Sequence, residues 1–303
     1  MKLPLSFGEV VDEITRFSHF SREEVEQRVW MEALEPGSNV LQDVAQFGVT
    51  PHRHDESMDR LYREGYGFIF ETLVYWAKPG RRLWSEHTLC RIEQYAVRAS
   101  IRPEALKILM LGDGSGNDSL FLATHGLRVD YFEVPGSRTY EFAVRRFNHR
   151  GYLGHAITPI EERQLQQSSQ YDVVVCFEVL EHLPDPTRAI HDIGGLLKVG
   201  GIALITEDFG DIVAYLPTHL KSSAGLLGKT PGLFLKNGMA LSWYSLDELF
   251  KPYEFVKVQR VSSKDVVRLL SDSRIRTHYL SYYASALARF INKLPYFGAK
   301  RGR

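Results

Sequence analysis

Three closely spaced glycines in the middle of the chain form a pattern typical of a ligand-binding turn. Gly112, Gly114 and Gly116 occupy alternate positions directly after an apolar run. Glycine has no side chain and tolerates positive φ, so the backbone of such a turn can approach a ligand closely. A dinucleotide fingerprint would have glycine in place of Asn117, and Asp118 would put an anion beside the pyrophosphate. A zwitterionic or cationic ligand suits these residues better.

A second group of residues has the chemistry for proton transfer or cation binding. Glu178, Glu181 and His182 follow a β-branched apolar run within a few positions of one another. The imidazole either removes a proton from an acceptor hydroxyl or braces its own turn. Two carboxylates with an imidazole also suit a hard or borderline divalent cation. The residue types alone leave these roles open.

A parallel sheet would position both groups. The continuous apolar run at 171–177 predicts a strand buried on both faces, as in parallel sheets, and ligands bind at the carboxyl ends of such strands. The glycine turn follows the strand at 108–111, and Glu133 ends the next strand at 127–133. An acidic residue about 20 positions after the first glycine typically accepts from the ribose hydroxyls of a nucleotide. We therefore expect a doubly wound α/β fold.

These blocks, with the Gly-Gly turn at 200–201, resemble class I S-adenosylmethionine (SAM)-dependent methyltransferases over roughly residues 106–208. The Glu-Val-Leu-Glu-His-Leu-Pro-Asp-Pro run at 178–186 and the Leu-Lys-Val-Gly-Gly turn at 197–201 are the most specific parts. They look most like the branch that contains the ubiquinone-biosynthesis O-methyltransferases and many natural-product enzymes. Met110 departs from the family, which usually has an acidic residue at this position.

The resemblance implies a Rossmann-like core that binds SAM. Either Asp113 would replace the missing acidic residue, or cofactor binding would be weaker. Glu133 would bind the ribose. The residues expected to contact the cofactor are Gly112, Asp113, Gly114, Gly116, Glu133, Phe177 and Glu178. In some related enzymes a Glu-x-x-Glu-His cluster holds a divalent metal, whereas many members of this branch carry it without one. We expect no metal; Glu178, Glu181 and His182 are the candidate ligands, and His219, His52 or His54 could add another.

The implied activity is methyl transfer to a small molecule at a hydroxyl oxygen, of sugar or natural-product type, with His182 as the catalytic base. Two alternatives remain, which are N- or C-methylation and a catalytically silent SAM-binding module. Met110 supports the silent module. An NAD-dependent oxidoreductase is disfavoured by Asn117 and Asp118. We expect Tyr66, Trp243 and Tyr244 to form the substrate pocket.

Composition limits the partners of the 303-residue chain. Lys+Arg and Asp+Glu are both 37, so the zero net charge argues against a nucleic-acid substrate. There are only two cysteines, and we find neither a signal peptide nor an apolar run long enough to span a bilayer. These features predict a cytoplasmic protein.

The chain divides into three predicted parts. Residues 1–104 form an N-terminal helical extension, and 105–262 form the core, with a lid insert at 209–245. Residues 253–261 are the expected sixth strand, and the further antiparallel strand of the family is not found. The C-terminal segment, 263–303, is predicted to be helical. Its apolar stripe either packs onto the core, which we favour, or forms a homodimer seam or a membrane contact; the stripe residues are Leu280, Tyr283, Leu287, Phe290 and Leu294.

Overall fold

The computed structural model describes residues 5–167, 171–244, 252–258, 278–280 and 282–284. The N-terminal extension is helical, as predicted. Its helices are α1 (Phe7–Phe17), α2 (Arg22–Leu34), α3 (Ser38–Phe47), α4 (Glu56–Glu64), α5 (Gly67–Trp76) and α6 (Pro79–Ala99). Side-chain caps at Ser6, Ser21 and Asp55 begin three of them. None of the helices in the described ranges combines the length and apolar character needed to cross a membrane.

The core alternates strands and helices. Its strands are β1 (Ile108–Leu111), β2 (Val129–Phe132), β3 (Ile157–Pro159), β4 (Tyr171–Phe177), β5 (Leu197–Thr206), β6 (Met239–Trp243) and β7 (Tyr253–Lys257). Its helices are α7 (Asn117–Thr124), α8 (Arg138–His149), α9 (Glu162–Gln167), α10 (Pro186–Leu196) and α11 (Thr230–Lys236).

One seven-stranded sheet runs through the core in the order β3-β2-β1-β4-β5-β7-β6. The first five strands are mutually parallel, and β7 is antiparallel to both of its neighbours. Alternate residues of β4 point into two separate apolar clusters, Val174 and Cys176 into one and Val173 and Val175 into the other. The doubly wound α/β fold is therefore confirmed.

The edge of the sheet corrects the expected strand count. The strand predicted at 253–261 as the sixth is β7, which ends at Lys257, and β6 lies inside the stretch at 209–245 that was expected to be a lid loop. Met239–Trp243 is short and contains no β-branched residue, so its sequence carries only a weak strand signal. Pairing with β7 makes it a strand.

The insert before β6 is packed rather than loose. It contains a short 3₁₀ helix (Lys221–Leu226) and α11. Its apolar residues Phe209, Leu220 and Phe234 are buried. The insert therefore packs on the core through apolar contacts, and its role as a substrate lid stays a prediction.

The C-terminal segment buries residues other than those of the predicted stripe. Residues 278–280 and 282–284 are helical, and they bury Tyr279 and Tyr282 against the core. The two stripe residues that the structure describes, Leu280 and Tyr283, are exposed. The favoured interpretation, that the stripe packs onto the core, is therefore wrong for these two residues, because the core-facing side lies one position away. The other stripe residues, 287, 290 and 294, lie outside the described ranges.

Candidate active site

The glycine turn connects β1 to α7 with three residues at positive φ. Gly112, Gly114 and Gly116 have φ of 75°, 49° and 74°. A Cβ on Gly112 would lie 2.5 Å from Val179, and one on Gly116 would overlap the Phe147 ring. A Cβ on Gly114 would instead meet one atom, at 3.7 Å. Glycine is therefore needed at 112 and 116 so that Val179 and Phe147 can pack against the turn, whereas Gly114 leaves space on its outer side for a ligand.

Side chains from three elements hold this turn in place. The Tyr131 hydroxyl donates to the Gly114 carbonyl at 2.6 Å. The hydroxyls of Thr72 and Ser115 lie 2.6 Å apart, and Arg146 Nη1 donates to the Ser115 carbonyl at 3.0 Å. Because α5, β2 and α8 all contribute, the turn is ordered before any ligand binds.

Asp113 lies inside the turn, and its carboxylate accepts from the start of α7. Its two oxygens accept the backbone N–H groups of Asp118, at 3.2 Å, and Ser119, at 2.7 Å. Burial and the nearby charge of Asp118 raise the pKa of Asp113 to about 7. If Asp113 contacts the cofactor as predicted, it must do so through the oxygen lone pairs that do not accept from the start of α7.

Glu133 directly follows β2 and extends over the turn. Its Oε2 accepts the Gly114 N–H at 2.8 Å, and its Oε1 accepts the Val134 N–H at 2.9 Å. Burial raises the pKa of this carboxyl. Each oxygen keeps further acceptor capacity, which fits the two hydroxyls of a ribose.

The end of β4 brings Phe177 and Glu178 to the same edge of the sheet. The Phe177 ring lies against Trp84, with a centroid separation of 6.5 Å. Glu178 has a φ of 54°, unusual for a side chain other than glycine, and its N–H donates to Thr206 Oγ1 at 3.0 Å. Among the described residues, its buried Oε1 has no hydrogen-bond partner.

A buried carboxylate and two imidazoles meet beside this turn. Glu181, His182 and His219 each offer a ligand atom, and these atoms all lie within 4.8 Å of one another. Glu181 is 0% exposed, and within the described ranges neither of its carboxylate oxygens has a hydrogen-bond partner. The two imidazole rings are perpendicular, with centroids 4.9 Å apart. The donor set and the orphaned carboxylate fit a divalent cation.

The two imidazoles of this cluster are neutral in their surroundings. Burial lowers the pKa of His182 to about 3, and burial also lowers the pKa of His219. Burial together with the charge of Glu178 raises the pKa of Glu181 well above its usual range. Nδ1 of His182 lies 3.1 Å from the Thr218 carbonyl, so this nitrogen carries the ring proton and Nε2 keeps its lone pair.

The insert that carries His219 is attached on two sides. The Leu220 N–H donates to the Glu181 carbonyl at 2.9 Å. On the other side, Nδ1 of His52 lies 2.9 Å from the His219 carbonyl. His54 instead pairs with Asp59 at 3.2 Å. Of the three histidines considered as an extra ligand, only His219 has its ring in the cluster.

Helices α4 and α5 place further polar groups opposite the sheet edge. Burial raises the pKa of Tyr62, and the charges of Glu133, Glu71 and Glu181 raise it further. Burial and then the charge of Glu178 raise the pKa of Tyr75 to about 12. The sequence analysis did not identify Glu71 and Tyr75. A single polar residue on the mostly apolar helix α5 indicates no site until the structure shows that this helix faces the edge of the sheet.

The three aromatic residues predicted to wall the pocket are not brought together. Tyr66 packs among Phe17, His19 and Phe20 in the extension. Trp243 lies on the edge strand β6 and contacts His87, at a centroid separation of 4.3 Å. The remaining residue, Tyr244, packs against two rings of the C-terminal part of the core, Tyr253 and Tyr282.

Replacing Glu71 with glutamine is expected to stabilise the protein in a pH-dependent way. Burial raises the pKa of Glu71 from 4.5 to about 8. The folded state therefore retains a proton that the unfolded chain releases, and stability falls as pH rises through this window. Glutamine mimics the neutral form, so the gain in Tm should be small at about pH 5 and largest above about pH 8.

Scanning calorimetry of the wild type and Glu71→Gln at both pH values tests this expectation. Glu93→Gln is the matched control, since Glu93 is exposed on α6. A Glu71→Gln gain that is the same at both pH values would contradict the raised pKa.

Comparison with known proteins agrees with this geometry. A family model described as a methyltransferase domain matches residues 81–260, more than half of the chain. The ubiquinone biosynthesis O-methyltransferase of Xanthomonas axonopodis pv. citri (strain 306) is 28% identical over 115 residues, which are 38% of this chain and 48% of the relative. The enzyme of that name from Bordetella avium (strain 197N) is 46% identical over 95 residues, 31% of this chain and 39% of the relative.

The chain thus spans less than half of the length of these curated relatives. Among solved structures, the mitomycin 7-O-methyltransferase MmcR is 16% identical, with 84% of this chain and 74% of that chain covered and a TM-score of 0.49. The parallel sheet with its antiparallel β7, the glycine turn and the family match over 81–260 show that this chain belongs to the class I SAM-dependent methyltransferase family.

Proposed function

We propose that the enzyme transfers the methyl group of SAM to a hydroxyl oxygen of a small molecule. The observation that carries this proposal is the placement of Glu133 over Gly114, at the same sheet edge as the lone pair on His182 Nε2. The Glu133 carboxylate suits the ribose of the cofactor, and the lone pair on His182 suits an acceptor that must lose a proton.

The cofactor would lie along the carboxyl ends of β1, β2 and β4. Glu133 binds the ribose hydroxyls, and the open side of Gly114 faces the methionine part. Phe177 packs beside the cofactor, and the unpartnered carboxylate oxygen of Glu178 attracts the positive sulfonium. Asp113 acts on this site indirectly, by holding the start of α7 and so the shape of the turn.

Methyl transfer from a sulfonium is an in-line displacement in which the cofactor supplies the reactive group. The protein contributes position and electrostatics. The hydroxyl oxygen would form the new bond to the methyl carbon while the carbon–sulfur bond of the sulfonium breaks. The electron pair would stay on the sulfur of the departing S-adenosylhomocysteine, and the hydroxyl would lose its proton. The lone pair on His182 Nε2 either accepts this proton or binds a cation that lowers the pKa of the acceptor hydroxyl.

The acceptor would be a small molecule of sugar or natural-product type. Helices α4 and α5 on one side and the insert on the other cover the sheet edge, which suits an enclosed ligand better than a polymer. The zero net charge of the chain also disfavours a nucleic-acid partner.

We further propose a cytoplasmic enzyme that dimerises through its C-terminal segment, where Leu280 and Tyr283 are exposed.

Two measurements test the proposed reaction. Calorimetric titration with S-adenosylhomocysteine tests cofactor binding, and we expect one site per chain. Radiolabelled SAM is then offered with panels of phenols, sugar hydroxyls and amines. Label transfer to hydroxyl compounds supports the proposal. Transfer to amines or carbon alone would overturn the choice of oxygen, and binding without transfer to any class would favour a silent binding module.

The His182→Ala variant is expected to lose turnover by roughly 10²–10⁴-fold, because the proton acceptor or cation ligand at Nε2 is lost. Its affinity for S-adenosylhomocysteine should stay close to that of the wild type. His191→Ala is the matched control, since this histidine lies exposed on α10. Steady-state rates at saturating SAM provide the comparison. An unchanged rate for His182→Ala would favour N- or C-methylation, which does not require this group.

A further inference from the structure

We propose that Glu181, His182 and His219 bind one divalent transition-metal cation, with Zn²⁺ as the reference ion. Their ligand atoms lie within 4.8 Å of one another, which is the spacing around a shared ion. Two of the three residues belong to the Glu-x-x-Glu-His run, but His219 comes from the insert. Glu178, which the run also offers, lies outside this set of mutually close atoms.

The orientation of the two imidazoles is that of metal ligands. Nδ1 of His182 lies 3.1 Å from the Thr218 carbonyl, and Nδ1 of His219 lies 3.0 Å from the Asp211 carbonyl. A carbonyl can only accept, so each Nδ1 carries the proton and each Nε2 presents a lone pair. Metal-bound histidines almost always make such a bond with the other ring nitrogen.

The carboxylate supplies the second, independent observation. Glu181 is fully buried, and neither of its oxygens finds a donor in the part of the chain that the structure describes. When Glu181 is ionised, its carboxylate and the two Nε2 atoms are all acceptors, so they cannot satisfy one another. Buried polar atoms without partners are costly. One cation would satisfy all three groups and would offset the charge of Glu181.

The ligand types select the class of ion. Imidazole suits Zn²⁺, Fe²⁺, Co²⁺ and Ni²⁺, whereas Mg²⁺ and Ca²⁺ prefer oxygen ligands alone. Three protein ligands leave at least one coordination position open. When bound, the cation would lower the pKa of an acceptor hydroxyl, and that role rests on the proposed O-methylation. Cation binding itself does not rest on it.

The site would also join two parts of the fold. Glu181 and His182 belong to the turn after β4, and His219 belongs to the insert. Because the backbone bond from Leu220 to Glu181 lies beside the cluster, an ion here would hold the insert on the core. Exchange of backbone hydrogens in the insert therefore reports cation binding without any methyl transfer.

The test uses the full chain after dialysis against EDTA. Co²⁺ is titrated in the absence of SAM, and its visible absorption is followed; Zn²⁺ is then added as competitor. We expect one Co²⁺ per chain, displaced by Zn²⁺, and slower hydrogen exchange at residues 211–222 in the loaded protein. Glu181→Gln and His219→Ala should each weaken Co²⁺ affinity by at least about tenfold. His191→Ala should bind like the wild type.

Each result has a defined meaning. No saturable Co²⁺ absorption in the wild type, or equal affinity in Glu181→Gln, would overturn the assignment. Glu181→Gln keeps the side-chain shape, so it remains informative if His219→Ala fails to fold. S-adenosylhomocysteine binding is measured on the same EDTA-treated samples. Cofactor binding without cation binding would reject the metal site alone, and cation binding without methyl transfer would reject the proposed reaction alone.

Discussion

The Arg81→Met variant is expected to lose about 3–5 kcal/mol of unfolding free energy, because it leaves a buried carboxylate without its cation. Arg81 forms an ion pair with Asp118, and both side chains are buried. The Ser85 hydroxyl, at 2.8 Å, and Trp76 Nε1, at 3.3 Å, also donate to Asp118. This group joins helices α5 and α6 of the extension to the start of α7.

Urea unfolding of matched variants measures this loss. Arg82→Met removes a neighbouring arginine whose partner, Glu86, is exposed on the same helix, and we expect a change of about 0.5 kcal/mol or less. Adding Asp118→Asn to Arg81→Met should recover part of the stability, since the orphaned charge disappears. Equal losses for Arg81→Met and Arg82→Met would show that the buried pair does not hold the extension to the core.

The Glu133→Ala variant is expected to bind S-adenosylhomocysteine about 100-fold more weakly than the wild type. Each hydrogen bond to a charged group contributes about 1.5–3 kcal/mol, and the proposed ribose contact has two hydroxyls. The carboxylate also accepts the Gly114 N–H, so its removal loosens the turn that faces the cofactor. Calorimetric titration gives the two dissociation constants.

Two further variants separate binding from general damage. Glu133→Gln keeps one carbonyl acceptor and should fall between the wild type and alanine. Glu104→Ala is the control, since Glu104 is an exposed acidic residue shortly before β1. Wild-type affinity in Glu133→Ala, with an unchanged Tm, would remove Glu133 from the cofactor site.

The elements around the proposed cofactor site could be predicted from sequence because their signals are local. An apolar run, a turn with three glycines and an acidic residue about 20 positions later follow one another along the chain, and the structure places them in β1, the turn and the end of β2. The parallel order of β1, β2, β4 and β5 also follows from alternating strand and helix patterns. The strand at the edge did not follow, because Met239–Trp243 becomes a strand by pairing with β7.

The composition of the candidate catalytic cluster was decided by tertiary structure. Sequence identified Glu178, Glu181 and His182 as candidates, yet only the packed insert brings His219 into the cluster and leaves Glu178 outside it. Likewise, Trp243 and Tyr244 pack elsewhere, while Tyr62 and Tyr75 come from the extension. Contacts between residues far apart in the chain depend on how whole elements pack, and no spacing along the sequence records that. Local spacing therefore determined the parallel part of the fold and the proposed cofactor side of the site, and long-range packing determined the edge strand and the proposed acceptor side.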